Sequence, residues 1–472
     1  MAALRQLECL RQLRLGRLGP AGLRKLQVRA DRLAAEYASV ARLVRCGQSE
    51  SPAAISASVA LAERAEAFVD DYATDVEMEA AAPVRQACAA LRAAPPTAGR
   101  LVELRSALAQ AVDALLDRHV CALVSILESP ASPLAQRAAL SAVTALGRQG
   151  PVAATLLARR GGVRALLGAL IDARNAATRR AALRALSALC CCAPALRALH
   201  EDGGVEVIAE LVAEPVGPRT EAERADAAGL LAQATAPWLE DAALTAETVT
   251  RLGRYLPSVT AALVALLETA VNDDALLLTT AALAHLAGAS QSAVWPLLDS
   301  RAADAVVRAV RRRGSAVSVF LQEQSAALIA AMAITPEARS YLVAGQAVPL
   351  LLCVLQLRPS PLARAPEATS AGKAQTNAAV GLSRLAGEPE ASRQMLELRA
   401  IDRLVRLCRD PRERAHRDAD AVLVACLAIL RKIAANVGSA ALALSPTDRR
   451  ELLAPRLRDS FDLLAVRQES YV

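Results

Sequence analysis

An all-α fold of stacked helical repeats is the class this sequence predicts, and two observations carry the prediction. The first is composition: hydrophobic residues make up 54% of the 472-residue chain but aromatics only 2%. The apolar content is therefore mostly Ala, Leu and Val, which suits closely packed helices better than sheets, where β-branched and aromatic residues predominate. The second is a recurring signature: a polar residue, two small residues, then leucines at helical spacing. It reads QRAALSAVTAL around Arg137, RRAALRALSAL around Arg180, RADAAGLLAQA at Asp226 and LTTAALAHLAG at Thr280. It continues as EQSAALIAAMA at Ser325, QTNAAVGLSRLA at Asn377 and DADAVLVACLAIL at Asp420.

Successive anchors lie 43, 46, 54, 45, 52 and 43 residues apart. Units of roughly 40–47 residues, each of two or three helices, mark the armadillo and HEAT classes. The two long intervals hold APWLEDAALTAETVTRLGRYLPS and the Pro-rich RPSPLARAPEATSAGK, which read as loop insertions. RGGVRALLGALIDA and DGGVEVIAELVAE each open with a Gly-Gly turn and continue as an apolar helix, with the signature helix following. Paired alanines let two helix backbones approach, and no unit can bury its apolar face alone. The expectation is an armadillo-like right-handed α-solenoid of about seven repeats over residues 101–457. An N-terminal helical segment, 1–100, precedes it, with ADRLAAEYASVARLV and PAAISASVALAERAEAFVDDY at helical spacing. The tail is 458–472.

Charge and cysteine usage exclude several classes. The net charge of +7 is carried almost wholly by arginine, the lysines being Lys25, Lys373 and Lys432, with 48 acidic residues interspersed. Nucleic-acid binding calls for a basic stripe with stacking aromatics. The densest basic cluster, Arg308, Arg311, Arg312 and Arg313, reads instead as a solvated helix end. Ten cysteines are scattered through apolar stretches, as buried free thiols of a reducing compartment are. Cys190-Cys191-Cys192 lacks the spaced pairs of a metal site and has only His200 near it, so no metal is expected. No apolar run reaches the length needed to span a bilayer. The arginine- and leucine-rich start, MAALRQLECLRQLRLGRLGPAGLRKLQVRA, is similar to a mitochondrial transit segment without its serines. The favoured reading is an amphipathic helix of the N-terminal region.

Catalytic constellations are missing from the sequence: there is no phosphate-cradling loop, no HExxH and no G-x-S-x-G. His119, His200, His285 and His416 have no Ser or Cys at a spacing that would make a nucleophile and base. The expectation is a non-enzyme without cofactors that works by presenting surface. Two surfaces are candidates. Arg137, Arg180, Asp226, Thr280, Ser325, Asn377 and Asp420 would form a ladder along the concave groove, where Asn377 could hold an extended peptide by its amide. The competing reading makes them helix-start residues that satisfy free N–H groups. The second surface is the ending Glu469-Ser470-Tyr471-Val472. A Ser two residues before a terminal Val is the pattern a PDZ domain captures, by adding the tail to a sheet edge and holding its carboxylate.

RLVRLCRDPRERAHRDADAVLVACLAILRKIA (403–434) and PRLRDSFDLLAVRQESYV (455–472) resemble the C-terminal end of the Inscuteable family. LRALSALCC, RADAAGLLAQATAPWL and ADRLAAEYASVAR extend the resemblance back to about residue 30. It implies an adaptor of asymmetric cell division at the apical cell cortex. Such an adaptor links a Bazooka-type PDZ polarity scaffold to the Pins/LGN TPR adaptor and, through it, to inhibitory Gα. The family's Pins-binding peptide carries a tryptophan and an acidic tail. The first sixty residues here have neither, which implies a shortened N-terminus or an unusual Pins contact. The alternative is an importin-like or regulatory armadillo protein with peptide cargo in its groove. That class repeats Trp and Asn in several units, whereas here only Asn377 fits, and Trp238 and Trp295 fall outside the signature helices. A mitochondrial helical-repeat protein is a third reading.

Overall fold

The computed structural model describes residues 20–71, 78–130, 132–214, 220–237, 241–358, 362–414 and 419–453. Among them every regular element is helical. The chain divides into two compact units between Ala198 and Leu199.

In the first unit, α1 (Pro20–Arg45), α2 (Pro52–Asp71), α3 (Met78–Ala93) and α4 (Ala98–Glu128) form a four-helix bundle. Leu33, Val40, Leu61, Phe68, Val84, Leu91, Leu101 and Leu104 fill its core. Ion pairs cross its surface from helix to helix: Arg64–Glu36 at 2.6 Å, Arg85–Asp70 at 2.9 Å, and the pairs Arg29–Asp71 and Arg92–Glu66. Lying at the surface, such pairs add little to stability. The bundle core continues along α4 to Leu115. The boundary expected at residue 100 is therefore corrected: the first half of α4 completes the bundle, and its second half begins the repeats. That half packs on α5 (Pro133–Gly147) and α7 (Gly162–Ile171). Between them stands α6 (Pro151–Arg159), and α8 (Ala176–Leu189) stacks on α5. The approach of α5 to α8 is close enough that a Cβ at Gly147 would sit 2.8 Å from the Ala188 carbonyl oxygen.

The division between units falls inside α9 (Ala193–Glu201). The second unit continues with α10 (Gly204–Ala213) and α11 (Glu221–Ala234), then α12 (Ala242–Leu252), α13 (Leu256–Thr269) and α14 (Asp273–Ala289). Two further triplets follow: α15 (Val294–Asp299), α16 (Ala302–Arg313), α17 (Val319–Met332); and α18 (Pro336–Ala344), α19 (Ala347–Leu355), α20 (Ala365–Leu385). The last is α21 (Pro389–Glu397), α22 (Ala400–Arg409) and α23 (Ala419–Val437), against which α24 (Pro446–Leu452) packs. Each triplet is a short opening helix, a middle helix and a longer third helix. Third helices stack in series, α11 on α14, α14 on α17, α17 on α20 and α20 on α23, while α10, α13, α16 and α19 stack beside them. This is the armadillo-like α-solenoid arrangement. All seven signature segments lie on third helices: α5, α8, α11, α14, α17, α20 and α23.

Two insertions read as loops prove partly helical. The first contains α12, capped by Asp241, and the second supplies the first turns of α20, where Pro366 sits near the helix start and Glu367 accepts from the Arg364 N–H at 3.1 Å. Proline preset for the first turn of a helix is indistinguishable, in sequence, from proline in a loop.

The corner between opening and middle helix repeats one backbone device. Gly161 (φ 80°) and Gly203 (φ 72°) take it, and so do Arg301 (φ 59°), Gln346 (φ 67°) and Arg399 (φ 53°), all left-handed. Adjacent repeats are also stapled by side chains that donate to carbonyls at helix C-termini, where the helix leaves acceptors unpaired. Arg312 reaches Leu267 O (2.9 Å) and Glu268 O (2.6 Å), and His285 Nδ1 reaches Ala232 O (2.7 Å). Arg384 donates to Ala330 O (2.7 Å), Lys432 to Ser383 O (2.7 Å) and Asn436 to Ala386 O (3.0 Å). Arg403, 2% exposed, donates to Leu355 O at 3.2 Å and pairs with Glu413, which Arg358 also holds at 2.8 Å.

Candidate interaction surfaces

The basic cluster at the end of α16 is committed to these joints. Arg308 pairs with Glu268 at 2.5 Å, Arg313 with Asp273 at 3.2 Å, and Arg311 donates to Gln346 Oε1 at 3.2 Å. It is a helix end, as the sequence indicated, but a stapled one rather than a freely solvated one.

The cysteine run is packed. Cys190 and Cys192 are buried, the Thr155 hydroxyl lies 3.6 Å from Cys192 Sγ, and burial pushes the Cys190 thiol well up. Among the described residues no group of three or more His, Cys, Asp or Glu could hold a metal ion. His200 Nε2 lies 2.9 Å from Thr248 Oγ1, and burial holds both His200 and His285 below the usual imidazole range. His119 is buried, and His416 lies outside the described residues. No single helix among the described residues is long and apolar enough to cross a membrane.

The groove ladder is only partly accessible. In the first unit Arg137 is exposed and Arg180 half-buried. In the second, Asp226 is buried, Asn377 half-buried and Asp420 exposed. Thr280 and Ser325 are 0% exposed, and their hydroxyls donate to Leu276 O at 2.7 Å and Leu321 O at 2.7 Å. Those two rungs are corrected. The residue before the paired alanines falls where third helices stack, and a hydroxyl survives there by bonding one turn back in its own helix. The helix-start reading does not describe the first five rungs. Ser132, Asn175, Thr220, Asn272 and Ser318 are the residues that cap α5, α8, α11, α14 and α17.

One polar patch escaped sequence reasoning. The Ser370 hydroxyl of α20 donates to Glu323 of α17 at 2.6 Å, and burial raises the Glu323 carboxyl despite that bond and nearby Lys373. Ser370, Lys373 and Asn377 share one face of α20 by their spacing. The Gln324 amide oxygen is buried without a hydrogen-bond partner among the described residues. Glu323 opens the fifth signature, EQSAAL, and that position was the available signal. Glu469, Ser470, Tyr471 and Val472 lie outside the described residues.

Short opening, middle and longer third helices, with the third helices stacked in series, define a protein of the helical-repeat class. The family model described as Protein inscuteable C-terminal matches residues 87–472, and the chain belongs to this inscuteable family. The human Protein inscuteable homolog is 30% identical over 366 residues, 77% of this chain and 61% of that protein. The mouse homolog is 29% identical over 363 residues, with the same shares. The chain thus spans about three fifths of the curated relatives it matches. An engineered protein solved by crystallography shares the fold, with a TM-score of 0.56 at 19% identity over 90% of this chain and 99% of its own. A designed armadillo repeat protein aligns at 20% identity over 56% of this chain and 99% of its own, with a TM-score of 0.46.

Proposed function

We propose that this protein is a non-catalytic scaffold that joins a Bazooka-type PDZ polarity scaffold to the Pins/LGN spindle-orientation machinery in asymmetric cell division, at the apical cortex. One observation carries the reading: the inscuteable C-terminal match runs from residue 87 through Val472 and so includes the ESYV ending. In this reading the tail is the ligand, captured by carboxylate and strand addition. A peptide ending QESYV should bind a PDZ domain of such a scaffold with micromolar Kd, because a short tail loses entropy on ordering. Val472→Asp, or one residue added after Val472, should abolish binding in a fluorescence titration. Unchanged affinity in either refutes carboxylate capture. The Pins/LGN link, and inhibitory Gα beyond it, is tested by pulldown of the full chain with the TPR domain. The cargo-groove alternative is disfavoured by the burial of Thr280 and Ser325, which removes two adjacent rungs from any bound peptide.

A further inference from the structure

A groove of about 900 Å³ opens in the first unit between α1, α4 and α6. Val112 and Leu116 line it from α4, Val152 and Leu156 from α6. Each pair is spaced i,i+4, so each wall is one apolar ridge of a helix. The walls match in length, since 112–120 and 152–160 each rise about 12 Å. Val152 is 79% exposed, and the other three are half-buried. At the rim stand an acid and a base that make no ion pair among the described residues, Asp113 of α4 and Arg159 of α6. The rim's other charges, Asp117 and Arg160, neutralise each other at 2.5 Å.

We propose that this groove receives a short amphipathic helix of a partner protein, a contact separate from the C-terminal tail. Helix walls with ridges at i,i+4 accept the ridges of a further helix laid between them. A wall of about 12 Å takes just over two turns, so apolar side chains at i, i+4 and i+7 of the incoming helix meet both sides. The unpaired rim charges set its polar edges: a Lys or Arg faces Asp113, and an Asp or Glu faces Arg159. A second copy of this chain fits less well. Two-fold pairing would set one concave wall against another and leave the groove unfilled. Insertion of a helix from a second copy needs an exposed apolar ridge, and among the described residues no helix carries two exposed large apolar side chains.

Fluorescence anisotropy on the full chain tests it, with a labelled three-turn peptide, locked as a helix by a side-chain bridge, as the probe. The probe carries leucines at i, i+4 and i+7, a Lys on one flank of that stripe and a Glu on the other. It should bind saturably with a micromolar Kd. Val152→Asp, at an exposed position, should raise Kd about tenfold while the thermal melt stays unchanged. Arg159→Glu should weaken binding about threefold, and a probe with Lys in place of its Glu should recover it. No saturable binding, an unchanged Kd in Val152→Asp, or a swapped charge pair no better than the mismatched one overturns the proposal. So does sedimentation of the chain as a dimer that Val152→Asp dissociates, which would assign the groove to a second copy.

Discussion

Gly161 and Arg399 occupy equivalent corners with the same left-handed backbone, yet only one has the residue that conformation favours. No neighbour lies within 4 Å of a Cβ built at Gly161, so Gly161→Ala isolates backbone strain and should cost about 1–2 kcal/mol. Arg399→Gly at the exposed counterpart should raise the melting temperature, and a fall would show that the arginine's side chain matters more than its φ. The Gly-Gly corners were legible in the sequence, but Arg301, Gln346 and Arg399 were not, because a strained non-glycine leaves no compositional mark. The buried histidines set the pH response. His285 is held below its ordinary value of about 6.5 by burial, so the unfolded chain binds the extra proton first. Stability is present in full above about pH 6.5 and is lost as pH falls from there toward the folded pKa. Thermal melts at pH 7.5 and 5.5 should show this drop. His285→Gln, which removes the titration, should shrink it, with His200 supplying the remainder. An equal drop in the variant would reject the assignment.

At the scale of elements, the joints between repeats carry the clearest energetic statement. Arg403 is buried, fully used by Leu355 O and Glu413, and stranded if either partner goes. Glu413→Leu alone should destabilise by about 3–5 kcal/mol, the usual consequence of leaving one buried charge unpaired. Arg403→Met with Glu413→Leu should recover most of the loss in urea unfolding, and failure to recover would mean that the Leu355 carbonyl bond dominates. The helices themselves were readable from their periodicity. Their joints were not: Arg312 meets its acceptors 44 and 45 residues away, and Arg384 meets its own 54 away. No local pattern marks which arginine among many is the staple.

For the whole molecule, the repeat count was visible because seven signatures landed on seven third helices. The N-terminal boundary was misplaced for a physical reason. A 31-residue helix serves both bundle and repeats, and its apolar spacing does not change where the duty changes. The ladder was half legible for the same kind of reason: spacing fixes a helix face, but only packing decides whether that face meets water or another helix. Function follows the opposite course. The PDZ-type ending stands on four letters and a family match, and its prediction is therefore a binding experiment with the terminal carboxylate as the variable.

The staples have a consequence for how such a chain can change. The six repeat-to-repeat donors Arg312, His285, Arg384, Lys432, Asn436 and Arg403 each satisfy a main-chain oxygen, which every residue type supplies equally. Each of these bonds therefore depends on a single amino acid, whereas the pairs Arg308–Glu268, Arg313–Asp273 and Ser370–Glu323 need a matched residue on both sides. A duplicated or transplanted repeat would keep these main-chain bonds to a foreign neighbour without matched substitutions, so evolution by shuffling needs to preserve only the donor side of each.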